Sequence, residues 1–169
     1  MAEFRINISG LSEGFHDYDF ETEPSAIGLD ETYVGLVKVH AQLEKSKRQF
    51  ILRIEALGAA TMVCDRCLEE FEQHLETKYQ MLYVSDDRSM DELEDSVELQ
   101  ILPQDANYID LDEDVRQYLI LAVPQKLLCS EACLGLCPVC GANRNETQCQ
   151  CNFESIDSRW ESLQKLTGN

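Results

Sequence analysis

Eight cysteines, spaced as Cys64-x2-Cys67 and then Cys129-x3-Cys133-x3-Cys137-x2-Cys140-x8-Cys149-x-Cys151, restrict this chain more than any other feature. Isolated cysteines act as small hydrophobic side chains and have no reason to cluster. The opening residues, Met1-Ala2-Glu3-Phe4-Arg5-Ile6-Asn7, alternate charged or polar with apolar side chains and lack the apolar block of an export signal. No later stretch approaches the roughly 20 apolar residues that span a bilayer. The expected compartment is therefore the cytoplasm, with no membrane partner. Thiols there are kept from pairing into structural disulfides, so clustered cysteines read as metal ligands. The expected cofactor is zinc, as two structural ions per chain.

Leu136-Cys137-Pro138-Val139-Cys140-Gly141 has the make-up of a zinc knuckle. Proline fixes φ inside the turn, and glycine accepts the positive φ that lets backbone amides face the thiolates. Cys149 and Cys151, one residue apart, face the same way on extended backbone and complete a four-sulfur set. Cys64 and Cys67 flank Asp65-Arg66 and need two more ligands to close a tetrahedron. Cys129 and Cys133 are the expected source, the 61 intervening residues being long enough to fold back. Spacing alone leaves other combinations open, such as Cys133 joining the knuckle.

These patterns argue against catalysis. A redox-active Cys64-Asp65-Arg66-Cys67, with Arg66 steadying a thiolate, calls for a βαβ setting that the flanking sequence lacks. Catalytic zinc keeps an open position and often uses histidine or carboxylate, whereas His16, His40 and His74 lie outside the cysteine clusters. There is no H-E-x-x-H, phosphate-binding glycine loop or nucleophile elbow. Neither an enzymatic activity nor a small-molecule substrate is expected.

The rest of the chain reads as one β-rich domain. Val37, Val39, Ala41 and Leu43 alternate with Lys38, His40, Gln42 and Glu44. After the polar turn Lys45 to Arg48, Phe50, Leu52, Ile54 and Ala56 oppose Ile51, Arg53 and Glu55, as in the returning arm of a hairpin. Tyr79 to Val84 is apolar on both faces. The run from Asp86 to Glu98 holds seven carboxylates and one arginine and reads as a loose acidic loop. Asp110 as N-cap with Glu113 three residues on predicts a helix near 111–123, stopped by Pro124, with Val115, Tyr118, Leu119 and Ala122 on its core face and an apolar last turn. From Ser155 a short helix is expected, turning Trp160, Leu163 and Leu166 to one side. The fold class is α+β: a curled or partly closed, mainly antiparallel sheet with one packed helix over 1–128, and a zinc-knuckle module over 129–169 packed on it.

Thirty-two acidic against fourteen basic residues give a net charge of −18. Naked nucleic acid is a poor partner for such a surface, and a basic protein a good one. The one basic concentration is Lys45, Lys47, Arg48 and Arg53 around the hairpin turn, which reads first as a solvated turn and second as a phosphate contact.

The chain resembles the YceD-like family, the large ribosomal RNA subunit accumulation proteins of bacteria and plastids. The resemblance runs from about residue 34 to 166. It rests on Cys64-Asp65-Arg66-Cys67-Leu68, on Leu119-Ile120-Leu121-Ala122-Val123-Pro124, and on Cys133-Leu134-Gly135-Leu136-Cys137-Pro138-Val139-Cys140-Gly141. Asn145, Cys149-Gln150-Cys151 and Asp157-Ser158-Arg159-Trp160 follow in the family's order. It implies a role in ribosome biogenesis, in accumulation of large-subunit ribosomal RNA. With the charge, the expected partner is a basic ribosomal protein or a pre-large-subunit particle rather than exposed RNA. A transcription-related zinc adaptor and an acidic metallochaperone would use the same cysteines, and the sequence leaves both readings open.

Overall fold

The structure, a computed structural model, describes residues 3–47, 49–84, 98–103 and 105–151. The residues fall into two units. One comprises Met1–Met62 with Phe71–Lys126, and the other Val63–Glu70 with Leu127–Asn169. The cysteine unit is therefore discontinuous in sequence, taking Cys64 and Cys67 from inside the segment that a cut after 128 assigns to the β-rich part.

The first unit is built on strands β1 (Arg5–Asn7), β2 (Gly14–Thr22), β3 (Tyr33–Lys45), β4 (Gln49–Val63), β5 (Glu70–Val84), β6 (Glu98–Ile101) and β7 (Tyr108–Asp110), followed by helix α1 (Asp112–Leu121). Five strands form a sheet in the order β2-β3-β4-β5-β6, and β1 pairs with β7 in a separate ribbon. The β3–β4 hairpin follows the alternation of its sequence. Val37, Val39, Ala41, Leu43, Leu52, Ile54 and Ala56 are all buried, while Lys38, His40 and Arg53 face water. Gly35, at φ 72°, opens an irregularity in which three residues of β3 face one of β4. That offset of two residues keeps the apolar alternation in phase on both sides of it.

Two expectations need correction. The sheet is open, with β2 and β6 at its edges, and β6 joins β5 in parallel. Its apolar side is covered by other elements instead of by curling closed: Ile6 and Ile109 of the ribbon and Val115 and Leu119 of α1 share one buried cluster with the strands. The close approach of α1 is visible at Gly58, where an added Cβ would sit 3.5 Å from Leu119 Cδ2.

The second correction concerns the start and end of α1. Leu111, not Asp110, occupies the N-cap, and no side chain caps it. Asp110 ends β7, where it pairs with Arg5 at 3.1 Å, and Glu113 binds Arg116 and Gln117 instead of reaching back to the helix start. Val115 and Leu119 are buried as the periodicity requires, but Ile120 and Leu121 are 44% and 76% exposed. Ile120 and Leu121 therefore stay outside the core, while Ala122 and Val123 just beyond them pack against it.

Asp112, the first residue of α1, ties the helix to the start of the chain instead. Its carboxylate accepts the backbone N–H of Glu3 at 2.9 Å and of Phe4 at 2.7 Å, fastening the chain's first strand to the start of α1. Asp112→Ala is expected to lower the unfolding free energy of this unit by about 1.5–3 kcal/mol, the usual worth of hydrogen bonds to a charged group. Asp112→Asn, which keeps an acceptor, should cost less; urea denaturation followed by circular dichroism distinguishes the two.

The acidic run from Asp86 lies outside the described residues up to Val97, as do the expected helix from Ser155 and Arg48 of the basic cluster. No helix among the described residues is long and apolar enough to cross a membrane.

Candidate metal centres

Cys64 and Cys67 sit in the tight turn that joins β4 to β5. The Cys64 N–H donates to Glu69 O and the Leu68 N–H to Cys64 O, both at 2.9 Å, and Leu68 adopts a left-handed φ of 60°. A leucine in that conformation costs roughly 1–2 kcal/mol, so the turn is held by what surrounds it. Asp65 and Arg66 do much of the holding. Asp65 exchanges two hydrogen bonds with Leu127, its N–H donating to the carbonyl at 2.8 Å and its carboxylate accepting the N–H at 2.7 Å. This brings the chain back two residues before Cys129.

Arg66 then fixes the next turn. Its guanidinium donates to Cys133 O at 2.8 Å and Glu131 O at 3.2 Å, and its carbonyl accepts the Leu136 N–H at 2.9 Å. The guanidinium is thus committed to backbone carbonyls, a clamp rather than the thiolate partner a redox motif would use. Gly135 makes this approach possible. It holds φ 71°, and a Cβ there would lie 2.9 Å from Arg66 O. Gly135→Ala combines a left-handed alanine with a backbone clash. It is expected to destabilise the cysteine unit by about 1–3 kcal/mol, read as faster amide exchange at residues 127–151.

The result is a set of four converging sulfurs. Cys64 Sγ lies 3.8 Å from Cys133 Sγ, Cys67 Sγ lies 3.7 Å from Cys129 Sγ, and all four are within 4.8 Å of one another. A disulfide needs about 2.05 Å. Four sulfurs at the corners of a tetrahedron around zinc, each about 2.3 Å from the ion, are about 3.8 Å apart. The separations fit a four-coordinate metal and not a covalent bridge.

Cys137, Cys140, Cys149 and Cys151 form a second set with the same 4.8 Å limit. Here the knuckle geometry is explicit. Cys137 Sγ accepts the N–H groups of Val139 and Cys140 at 3.4 Å each, the Gly141 N–H returns to Cys137 O at 2.8 Å, and Gly141 has φ 74°. Cys133 belongs to the first set and not to the knuckle.

In each set the thiols are unequal. Backbone N–H groups, that of Cys129 foremost, lower Cys64 to about 6, and those of Cys140 and Val139 lower Cys137 to about 6. The Asn145 side-chain amide lowers Cys133. Desolvation and the neighbouring sulfurs raise Cys129 to about 12, and Cys140 with burial raises Cys151 to about 12. Each set so contains at least one thiol biased toward the thiolate, suited to take an incoming cation first, and at least one biased toward its protonated form.

The three histidines stay in the β-rich unit. His16 Nε2 is 2.9 Å from Ser12 O, His40 pairs with Asp19 at 2.8 Å, and His74 lies 3.8 Å from Glu72. Among the described residues, sulfur alone furnishes both sets. Sequence reasoning did not assign the supporting roles of Asp65, Gly135 and Asn145. Two signals mark them in the sequence: each lies inside a cysteine motif or between two of them, and each is among the residues that carry the family resemblance.

A profile of the family described as "Large ribosomal RNA subunit accumulation protein YceD" matches residues 52–167. A chloroplast protein of Arabidopsis thaliana, described as a large ribosomal RNA subunit accumulation protein YCED homolog, is 33% identical over 64 residues. That match covers 38% of this chain and only 20% of the plant protein's length. Uncharacterized proteins of Mycobacterium tuberculosis and Mycobacterium bovis are 26% identical over 158 residues, 91% of this chain and 74% of theirs. No solved structure matches the chain.

Proposed function

The chain belongs to the YceD family of large ribosomal RNA subunit accumulation proteins, and on that basis we propose that it is a non-catalytic ribosome biogenesis factor of the cytoplasm, promoting accumulation of large-subunit ribosomal RNA. Its cysteine unit is held by two structural zinc ions, and its acidic surface docks on a basic ribosomal protein or a protein-coated site of the pre-large-subunit particle.

The carrying observation is the extent of the family match, which spans residues 52–167 and therefore contains both cysteine sets entire. Zinc is favoured as the metal because all-sulfur tetrahedral sets suit it and the sulfur separations agree with its bond length. A non-catalytic role is favoured because four sulfurs on one ion leave no position for an activated water.

A protein partner is favoured over RNA by charge and by what the basic residues are doing. Lys45 Nζ donates to Leu11 O at 2.7 Å and lies over the Phe50 ring, and Arg53 pairs with Glu44 at 3.3 Å. Half of the small basic cluster is thus already engaged within the protein.

The test is genetic and biochemical together. Removing the gene should lower the ratio of large- to small-subunit ribosomal RNA and the free large-subunit peak on a sucrose gradient, with recovery on re-expression. An unchanged ratio and gradient would refute the biogenesis role. Affinity capture with and without nuclease identifies the partner class, a nuclease-resistant basic protein being the expected catch.

A further inference from the structure

The segment from Gly141 to Thr147 connects the two halves of the second cysteine set, lying between Cys140 and Cys149, yet Asn145 and Arg144 within it reach Cys133 of the first set and the turn that follows it. Asn145 Nδ2 donates to Cys133 Sγ at 3.3 Å, and Asn145 Oδ1 accepts the Leu134 N–H at 2.8 Å. The Arg144 N–H donates to Gly135 O at 2.9 Å, the Cys137 N–H donates to Ala142 O at 2.8 Å, and Asn143 bridges to Leu136 as an isolated antiparallel pair.

The Asn145 amide is itself oriented. Asn143 Oδ1 accepts both its backbone N–H at 3.1 Å and its Nδ2 at 2.9 Å, so the remaining Nδ2 hydrogen is the one aimed at the Cys133 sulfur. On its other side the stretch Cys133 to Leu136 is clamped by Arg66, between Cys64 and Cys67. A continuous run of hydrogen bonds thus links the loop whose two ends carry the second set to a ligand of the first. Groups that hold a metal ligand from behind commonly change affinity 10- to 100-fold when removed.

We propose that the two centres fill cooperatively, with Asn145 as the positioning residue that couples them. This rests on the reading of both sets as metal centres. Metal at Cys137, Cys140, Cys149 and Cys151 closes the loop ends and so presents Asn145 to Cys133. By linkage, metal at Cys64, Cys67, Cys129 and Cys133 favours closure of the loop by the same factor, roughly 5- to 150-fold for couplings of ordinary size.

The experiment titrates cobalt(II) into the reduced, metal-free full-length protein, counting ions per chain by native mass spectrometry and following the sulfur-to-cobalt charge-transfer band. Two independent sites leave about half or more of the chains with a single ion at half-saturation, equal sites giving the lower limit. The wild type is expected to fall well below that. Cys149→Ser should weaken the remaining set by the coupling factor. Asn145→Ala should raise the single-ion population and shift the band of the Cys133-containing set to lower energy, because its thiolate loses a hydrogen bond; a residue that only supported the fold would leave that band in place. Single-ion chains at half or more in the wild type, or an unweakened first set in Cys149→Ser, would overturn the coupling while leaving two metal centres. Absence of cobalt binding would instead refute the metal reading and the coupling with it.

Discussion

With metal removed by a chelator under reducing conditions, the cysteine unit is expected to unfold while the five-stranded sheet persists. The reason lies in what each unit has buried. The β-rich unit contains a contiguous cluster of leucine, isoleucine, valine and aromatic side chains around Phe4, Leu43, Leu52, Tyr83 and Leu119. Among the described residues of the other unit, the buried apolar side chains are Cys64, Cys67, Cys133 and Cys137, whereas Val63, Leu68, Leu134 and Val139 are between 47% and 65% exposed. A unit whose interior is its thiols has little hydrophobic stabilisation to fall back on. Structural zinc contributes on the order of 10–16 kcal/mol in small modules, against about 5–15 kcal/mol for a whole domain. Elemental analysis of anaerobically purified protein should find two zinc ions per chain. After chelation, amide exchange at residues 127–151 should approach that of an unfolded chain while β3 and β4 stay protected. One ion or none, or a cysteine unit that keeps its protection without metal, would contradict this. Acid should act in the same direction, since bound thiolates compete with protons and the metal is lost as pH falls.

How much of this was legible beforehand depended on whether the deciding interaction was local. The alternation of Val37 to Leu43 and of Leu52 to Ala56 carries its own signal, because the period of two is a property of the strand, and both arms form as read. The order of the cysteines was equally visible, but which four converge was a question of long-range contact. The answer comes from Asp65 meeting Leu127 and Arg66 meeting Cys133, pairs more than sixty residues apart that no local pattern encodes. The same limit explains the misread helix cap. Asp110 and Glu113 have the spacing of a capping box, yet Arg5, far away in sequence, engages Asp110, and β1 draws it into a strand. Whether the sheet closes is likewise decided by what covers its apolar side, and β7 and α1, which cover it with β1, come from a part of the chain where only the helix had a clear period.

The proposed docking on a basic protein carries the second large expected effect, on association rate. At −18, the chain repels a polyphosphate at long range and attracts a lysine- and arginine-rich protein. Eight thiolates on two divalent ions would leave it four charges more negative still. Electrostatic steering of this kind changes association rates by roughly 10- to 1000-fold and fades as salt rises past the screening length. Binding to the captured basic ribosomal protein should accordingly slow steeply between low and high ionic strength, with the dissociation rate changing much less. Replacing the seven carboxylates of Asp86 to Glu98 by amides should lower the low-salt rate and flatten its salt dependence. Lys47→Ala with Arg48→Ala should leave the rate nearly unchanged, because Lys45 and Arg53, which would have to join them in gripping phosphate, are held by Leu11 and Glu44. Stopped-flow mixing of purified partners measures all three. Tight binding to naked large-subunit RNA at physiological salt, abolished by the Lys47 and Arg48 substitutions, would show that a local patch outweighs the global charge and that the partner is the RNA itself.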